Sequence, residues 1–130
     1  MNTPSNVCPI AAGCSIAVNE RLAQVQAILS LNALRTVDAD NKRSCATAYA
    51  AAIEICNETV SAITFNYSEW IEPEAAAAAN GYLSKATALI DLAMCVYDDE
   101  DENDHRELVT AAAGDFVRAA MERLEVGAQP

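Results

Sequence analysis

Apolar residues recur three or four positions apart along most of this chain, which is typical of helices that bury one face. The pattern begins near Ser15. It predicts four helices, over about 19–37, 42–64, 73–97 and 104–125. Residues 1–14 contain two prolines and a glycine, so we expect a non-helical N-terminal lead there.

Each predicted helix has an inward face, and the first, third and fourth also have a start signal. Asn19 is a plausible N-cap for the first helix, and Pro73 suits the first turn of the third. Asp104 and Glu107 have the spacing of a capping box for the fourth. The inward positions are Leu22, Val25, Ile28, Leu29 and Leu34; Cys45, Tyr49, Ala52, Ile53, Cys56, Val60 and Ile63; Ala79, Leu83, Ala86, Leu89, Ile90, Ala93 and Val96; and Leu108, Ala112, Phe116, Ala120 and Leu124.

The two halves of the chain echo each other. "LAQVQAILSL" (22–31) aligns with "LSKATALIDL" (83–92) at an offset of 61, and "KRSCATAYAAAI" (42–53) aligns with "HRELVTAAAGDF" (105–116) at an offset of 63. A lone helical hairpin cannot bury its apolar face, whereas two packed together can. The prediction is therefore an all-α protein, a four-helix bundle made of two tandem pseudo-repeated hairpins.

The predicted bundle is a single domain, residues 15–130, with hairpin 1 at about 19–64 and hairpin 2 at about 73–125. The 27 alanines favour helices and allow close contacts between them. A hairpin exchanged between two chains would satisfy the same pattern, so a homodimer is an open alternative.

One stretch resembles a known kind of protein. "PIAAGCSIAVNERLAQVQAIL" (9–29), followed by a turn and "KRSCATAYAAAIEI" (42–55), is similar to small helical-hairpin proteins of unknown function from Gram-negative soil bacteria. The resemblance covers roughly residues 8–63 and, more faintly, 80–124. It implies helical hairpins and carries no activity; this chain departs from it in having two hairpins and unusual cysteines.

Charge is distributed unevenly along the chain. The net charge is −11; residues 1–66 contribute −1 and residues 67–130 contribute −10. Direct nucleic-acid binding and binding to anionic membranes both require basic side chains, so both are disfavoured. A protein with a basic surface is the natural electrostatic partner. The start "MNTPSNVCPI" lacks the features of a signal peptide and no apolar run is long enough to span a membrane, so we expect a soluble, cytoplasmic protein.

The most acidic stretch is "VYDDEDENDHRE" (96–107), which holds six carboxylates between Asp98 and Asp104. A calcium loop of the EF-hand type would need Gly at position 6 and Glu at position 12; counted from Asp99, these positions are Asp104 and Thr110. Glu102 and His105 have the Glu-x-x-His spacing used by di-iron bundles, but it occurs once and His105 is the only histidine. We therefore predict no metal site and no cofactor.

The sequence offers little for catalysis. Its single histidine lies among carboxylates, and no Gly-rich phosphate loop or Gly-x-Ser-x-Gly motif is present. The five cysteines are odd in number and irregularly spaced, which favours reduced thiols. Cys45 and Cys56 lie on an apolar face and are expected to be buried and inert, while Cys8 and Cys14 could pair or bind metal.

Two segments are candidates for binding a partner. Carboxylates crowded in a turn repel one another unless a partner or cation neutralises them, and the segment "TFNYSEWIEPE" (64–74) combines aromatic and acidic residues. The residues predicted to bind a partner are Asp98, Asp99, Glu100, Asp101, Glu102, Trp70, Tyr67, Glu69 and Glu72. Alternatively, the acidic turn is ordinary solvated surface, and the aromatic segment covers the end of the bundle.

These observations favour a non-enzymatic acidic binding protein. It would occupy a basic, nucleic-acid-handling surface and so act as an inhibitor, for example of the phage anti-defence or immunity type. A structural or regulatory homodimer is the second hypothesis, and a metal-dependent bundle enzyme is the third.

Overall fold

A computed structural model describes the backbone of residues 2–38, 40–66, 71–94 and 102–127, and the side chains of 18–38, 40–64, 71–94 and 105–125. These residues form an all-α four-helix bundle, which confirms the predicted fold class. The helices are α1 (Asn2–Leu34), α2 (Lys42–Asn66), α3 (Pro73–Met94) and α4 (Glu102–Gly127).

Neighbouring helices run antiparallel. Arg21 of α1 forms an ion pair with Glu58 of α2 at 2.6 Å, and Asn32, further along α1, bonds to the backbone of Cys45, nearer the start of α2. Each helix packs against two others, α1 against α2 and α4, and α3 against α2 and α4. Short connections between antiparallel neighbours define an up-down-up-down bundle.

The core is built from fully or almost fully buried positions spaced alternately four and three residues apart, except at the start of α3, where Ala75, Ala79 and Leu83 are separated by two steps of four. This spacing averages 3.5 residues, the repeat of helices that coil gently around one another. The buried positions are Val18, Leu22, Val25, Leu29 and Asn32 in α1; Cys45, Tyr49, Ala52, Cys56, Thr59 and Ile63 in α2; Ala75, Ala79, Leu83, Ala86, Ile90 and Ala93 in α3; and Arg106, Thr110, Ala113, Val117, Ala120 and Leu124 in α4.

The internal repeat has one offset throughout. Adding 61 to each buried position of α1 gives a buried position of α3, and adding 61 to each buried position of α2 gives one of α4. The predicted offset of 63 for the second pair is wrong, because it would align buried Ala52 with exposed Asp115. The connections 35–41 and 95–101 consequently have equal length.

Two predicted inward leucines are on the surface. Leu34 is 80% exposed and Leu108 is 68% exposed. The prediction for α4 used steps of four alone, and such a row winds around the helix, whereas alternating steps of four and three stay on one side. Ala112 and Phe116 are accordingly half-buried.

Helix α1 begins at Asn2, so it includes residues 2–14, where we expected a non-helical lead. Pro4 lies in the first turn, where a missing N–H costs no intrahelical bond, which leaves Pro9 as the only interior proline. Asn19 is therefore inside the helix and does not cap it. Similarly, α4 begins at Glu102, so Asp104 is its third residue rather than its N-cap.

A reciprocal pair of hydrogen bonds with the geometry of a capping box lies in the turn that leads into α2. The Asp38 side chain accepts a hydrogen bond from the Asn41 N–H at 3.0 Å, and the Asn41 side chain accepts one from the Asp38 N–H at 2.9 Å. The Lys42 N–H then donates to the Asp38 carbonyl at 3.0 Å. Asp38 and Asn41 thus close the "DADN" turn reciprocally, and Asn41, whose carbonyl accepts the Cys45 N–H at 2.9 Å, directly precedes α2.

Candidate functional site

The two ends of the bundle differ in chemistry. At one end, which we call the acidic end, α1 finishes at Leu34, α2 begins at Lys42, α3 finishes at Met94 and α4 begins at Glu102. The sequence 95–101 joins α3 to α4 at this end, and the acidic positions 98–104 continue into the first turn of α4. At the other, the aromatic end, α2 finishes and α3 begins.

Arg106 is the central side chain of the acidic end. It is 1% exposed and projects from the first turns of α4. Its guanidinium donates hydrogen bonds to the Asn32 carbonyl at 2.7 Å, to the Tyr49 hydroxyl at 2.7 Å, and to the Arg35 carbonyl. The Arg106 side chain thus joins α4 both to the end of α1 and to the first turns of α2.

The end of α1 explains why a guanidinium is stable in this buried position. The last carbonyls of a helix have no intrahelical partner and carry partial negative charge. The Asn32 carbonyl belongs to this last turn, and the Arg35 carbonyl follows it directly. Arg106 satisfies both acceptors and gains the favourable potential of the helix terminus, which offsets the cost of removing its charge from water.

Two hydroxyl groups complete the network. Thr110 donates to the carbonyl of Arg106 at 2.7 Å, and its oxygen lies 2.7 Å from the Tyr49 hydroxyl. Because the single proton of Thr110 is used on the carbonyl, Tyr49 is the donor of the second bond. The bonds therefore run in a closed circuit from the Arg106 guanidinium through Tyr49 and Thr110 to the Arg106 carbonyl.

A further contact ties α1 to α2. The Asn32 side-chain amide donates to the Cys45 carbonyl at 3.2 Å, and Asn32 is 3% exposed. The Arg35 guanidinium lies 3.9 Å from the Cys45 sulfur. A satisfied buried network of this kind rigidifies the elements it connects. At the acidic end, the start of α4 is therefore held rigidly against α1 and α2.

Sequence reasoning missed Arg106 because it treated a charged residue as a surface residue. The signal that could have identified it is the repeat. With a uniform offset of 61, Arg106 is the counterpart of Cys45 and Thr110 is the counterpart of Tyr49, and both Cys45 and Tyr49 lie on the apolar face of α2.

The residues predicted to bind a partner divide between the two ends. Glu102 is the first residue of α4 at the acidic end. Glu72 is exposed at the aromatic end, where its carbonyl accepts a bond from Ala76 at 2.9 Å. The 22 residues of α3 separate these ends by about 33 Å. The other predicted residues, Asp98, Asp99, Glu100, Asp101, Trp70, Tyr67 and Glu69, lie outside the described residues.

The structure therefore does not bring Glu72 and Glu102 together. A standard interface covers about 800 Å² on each partner, so two segments at opposite ends of a bundle are better treated as separate surfaces. His105, next to the acidic run, is exposed. Within the described ranges, no group of three or more His, Cys, Asp or Glu side chains is arranged to hold a metal ion.

Cys45 and Cys56 are free and buried, which confirms their predicted location. Burial raises the pKa of the Cys56 thiol from its ordinary value of 9.0 to about 11. The thiolate is the nucleophilic form of cysteine, so Cys56 is protonated and unreactive near neutral pH in the folded protein.

The raised pKa of Cys56 gives a testable pH dependence. The unfolded thiol ionises near pH 9 and the folded thiol near pH 11, so its contribution to stability is complete below pH 9 and is lost as pH rises through 11. We expect the free energy of unfolding of wild type to fall by about 2 kcal/mol more than that of Cys56→Ala over this interval. Urea unfolding at pH 8.5 and 11 measures the difference. Equal losses in the two proteins would refute the assignment.

Comparisons with protein-family models, curated proteins and solved structures return no match to this chain. The resemblance to helical-hairpin proteins stays a prediction. Over its described residues, the protein has no helix long and apolar enough to cross a membrane. Fold and site together define an all-α four-helix bundle with a buried arginine network at its acidic end.

Proposed function

We propose that this chain is a non-enzymatic binding protein that occupies a basic surface of another protein through its acidic end. The observation that carries the proposal is the placement of charge. Of 19 acidic residues, six lie within positions 98–104, between the last residues of α3 and the first turn of α4.

The described structure around this run supports a binding role. Helix N-termini stabilise negative charge, and Glu102 and Asp104 fall in the first turn of α4. The Arg106 network holds α4 against α1 and α2, so the helix that the acidic run enters is fixed in place before a partner binds. Arg35, on the neighbouring connection 35–41, and Arg43, the second residue of α2, are exposed. The surface offered to a partner is thus mixed, with carboxylates in excess.

The partner class that fits is a protein with a basic groove, such as one that handles nucleic acid. Occupying such a groove would exclude its anionic substrate and make this chain an inhibitor, of the phage anti-defence or immunity type. Complementary charge steers such an encounter and makes it sensitive to salt.

The test uses an arginine-rich peptide as probe. The variant Asp98→Asn/Asp99→Asn/Glu100→Gln/Asp101→Asn removes four of the carboxylates and changes the net charge from −11 to −7. We expect peptide affinity at low salt to fall about tenfold, and the slope of log affinity against log salt to become shallower. Fluorescence anisotropy with a labelled peptide measures both quantities.

A matched variant separates the acidic end from net charge. Glu20, Glu54, Glu122 and Glu125 are exposed and distributed over α1, α2 and α4. Changing all four to Gln gives the same net charge of −7, and we expect this variant to retain most of the affinity. Equal losses in the two variants would show that overall charge, and not the acidic end, binds the peptide.

A further inference from the structure

One side of α1 is exposed and uncharged over three turns. The stretch from Ala23 to Leu34 contains no charged residue. Six of its side chains are exposed, and we call them the α1 outer face. They are Ala23, Gln24, Ala27, Ser30, Leu31 and Leu34.

The α1 outer face is unusual on this molecule. Leu31 is 66% exposed and Leu34 is 80% exposed. The other three helices all place charged residues on their exposed sides, for example Glu54 on α2, Lys85 on α3 and Asp115 on α4. Large exposed apolar side chains in a continuous uncharged patch are typical of interaction surfaces.

We propose that the α1 outer face is the surface through which two copies of this chain associate, with their α1 helices packed antiparallel. Charge decides between a second copy and a basic partner. Two molecules of net charge −11 repel each other, and the electrostatic repulsion is smallest when the surfaces that face each other carry no charge. A basic partner gains no electrostatic attraction from this surface and gains much from the acidic end.

Side-chain size supports the antiparallel arrangement. The face has small residues at its beginning, Ala23 and Ala27, and large ones at its end, Leu31 and Leu34. A two-fold axis at the level of Leu29 places Leu31 of each copy opposite Ala27 of the other, and Leu34 opposite Ala23 and Gln24. The surface is then self-complementary, as a two-fold dimer requires. A parallel pairing would place leucine against leucine and leave the alanines without contacts.

The length of the face sets the strength of this dimer. It extends about 17 Å along a helix about 10 Å across, so it is much smaller than the roughly 800 Å² per partner of a standard interface. We expect a dissociation constant on the order of 10 µM or weaker. The inference goes beyond the proposed function, because the face lies on the side of the bundle and leaves the acidic end accessible in the dimer.

Sedimentation equilibrium across about 1–500 µM protein tests the proposal. We expect the average mass of wild type to rise with concentration from 13.8 kDa towards twice that value. The variant Leu31→Lys/Leu34→Lys should weaken association at least tenfold. The control is Leu92→Lys, since Leu92 is the repeat counterpart of Leu31 and is 53% exposed on α3. It should associate as wild type does.

A charge-pairing experiment tests the antiparallel geometry. In this arrangement the two Ala27 residues lie about 6 Å apart along the helix axes, within reach of long side chains. Ala27→Lys and Ala27→Glu should each be weaker dimers alone and should associate when mixed. A monomeric wild type throughout, association unaffected by Leu31→Lys/Leu34→Lys, or no recovery in the mixture would overturn the proposal. Peptide binding measured in parallel should be unchanged in the Ala27 variants, because Ala27 lies about 10 Å along α1 from its last residue at the acidic end, so failure here is distinguishable from failure of the proposed function.

Discussion

Replacing Arg106 by methionine is expected to lower the free energy of unfolding by about 3 kcal/mol. Methionine fills much of the same volume but donates no hydrogen bond. The carbonyls of Asn32 and Arg35 and the hydroxyl of Tyr49 would each lose a donor in a buried position. Urea denaturation followed by circular dichroism measures the change.

Two controls separate the network from the general loss of an arginine. Arg118 is on the same helix with its side chain 65% exposed, and Arg118→Met should cost less than about 0.5 kcal/mol. Tyr49→Phe removes one hydroxyl of the circuit and should cost about 1 kcal/mol. If Arg106→Met behaves like Arg118→Met, the guanidinium does not stabilise the acidic end.

Helix existence, fold class and most of the core could be predicted from the sequence because they depend on local spacing. Leu22, Val25 and Leu29, for example, repeat at intervals that only a helix places on one side, and their counterparts 61 residues later repeat in the same way. Pro73 correctly marked the first residue of α3, because a proline at that position loses no hydrogen bond.

The site was harder to predict because its stability depends on contacts distant in sequence. Arg106 bonds to a carbonyl 74 residues away, and no local pattern signals that partner. The wrong offset of 63 arose from matching residue identities in an alanine-rich chain. It paired Thr47 with Thr110 because the two residues are identical, although Thr47 is exposed and Thr110 is buried. Residue identity was thus a poorer guide to the repeat than the spacing of buried positions.

Topology changes how the predicted binding residues are understood. A linear sequence places Glu72 and Glu102 only 30 positions apart, in one acidic half. Because α3 traverses the bundle between them, they belong to opposite ends. The acidic end combines the carboxylate run with a rigid buried network, and for this reason it is the stronger candidate for contact with a basic partner.

Replacing Ala86 by leucine is expected to destabilise the bundle by about 3 kcal/mol or more, which is comparable to the effect of removing Arg106. Ala86 is fully buried on α3, and five other core positions are fully buried alanines: Ala52, Ala79, Ala93, Ala113 and Ala120. Small side chains at these positions allow the helix backbones to approach closely. A leucine would have to displace a neighbouring helix, because a close-packed core has no room for three additional carbon atoms.

The matched control is Ala88→Leu, two residues further along α3, where the alanine is exposed. Helix propensity barely changes in either variant, since leucine is nearly as good a helix former as alanine. The difference between the two free energies of unfolding therefore isolates the packing of the core. Thermal and urea unfolding should both show a large loss for Ala86→Leu and a change of less than about 0.5 kcal/mol for Ala88→Leu. Similar small changes in both would mean that the helices at this level are far enough apart to admit a leucine, and alanine-mediated contact would not be what sets their spacing.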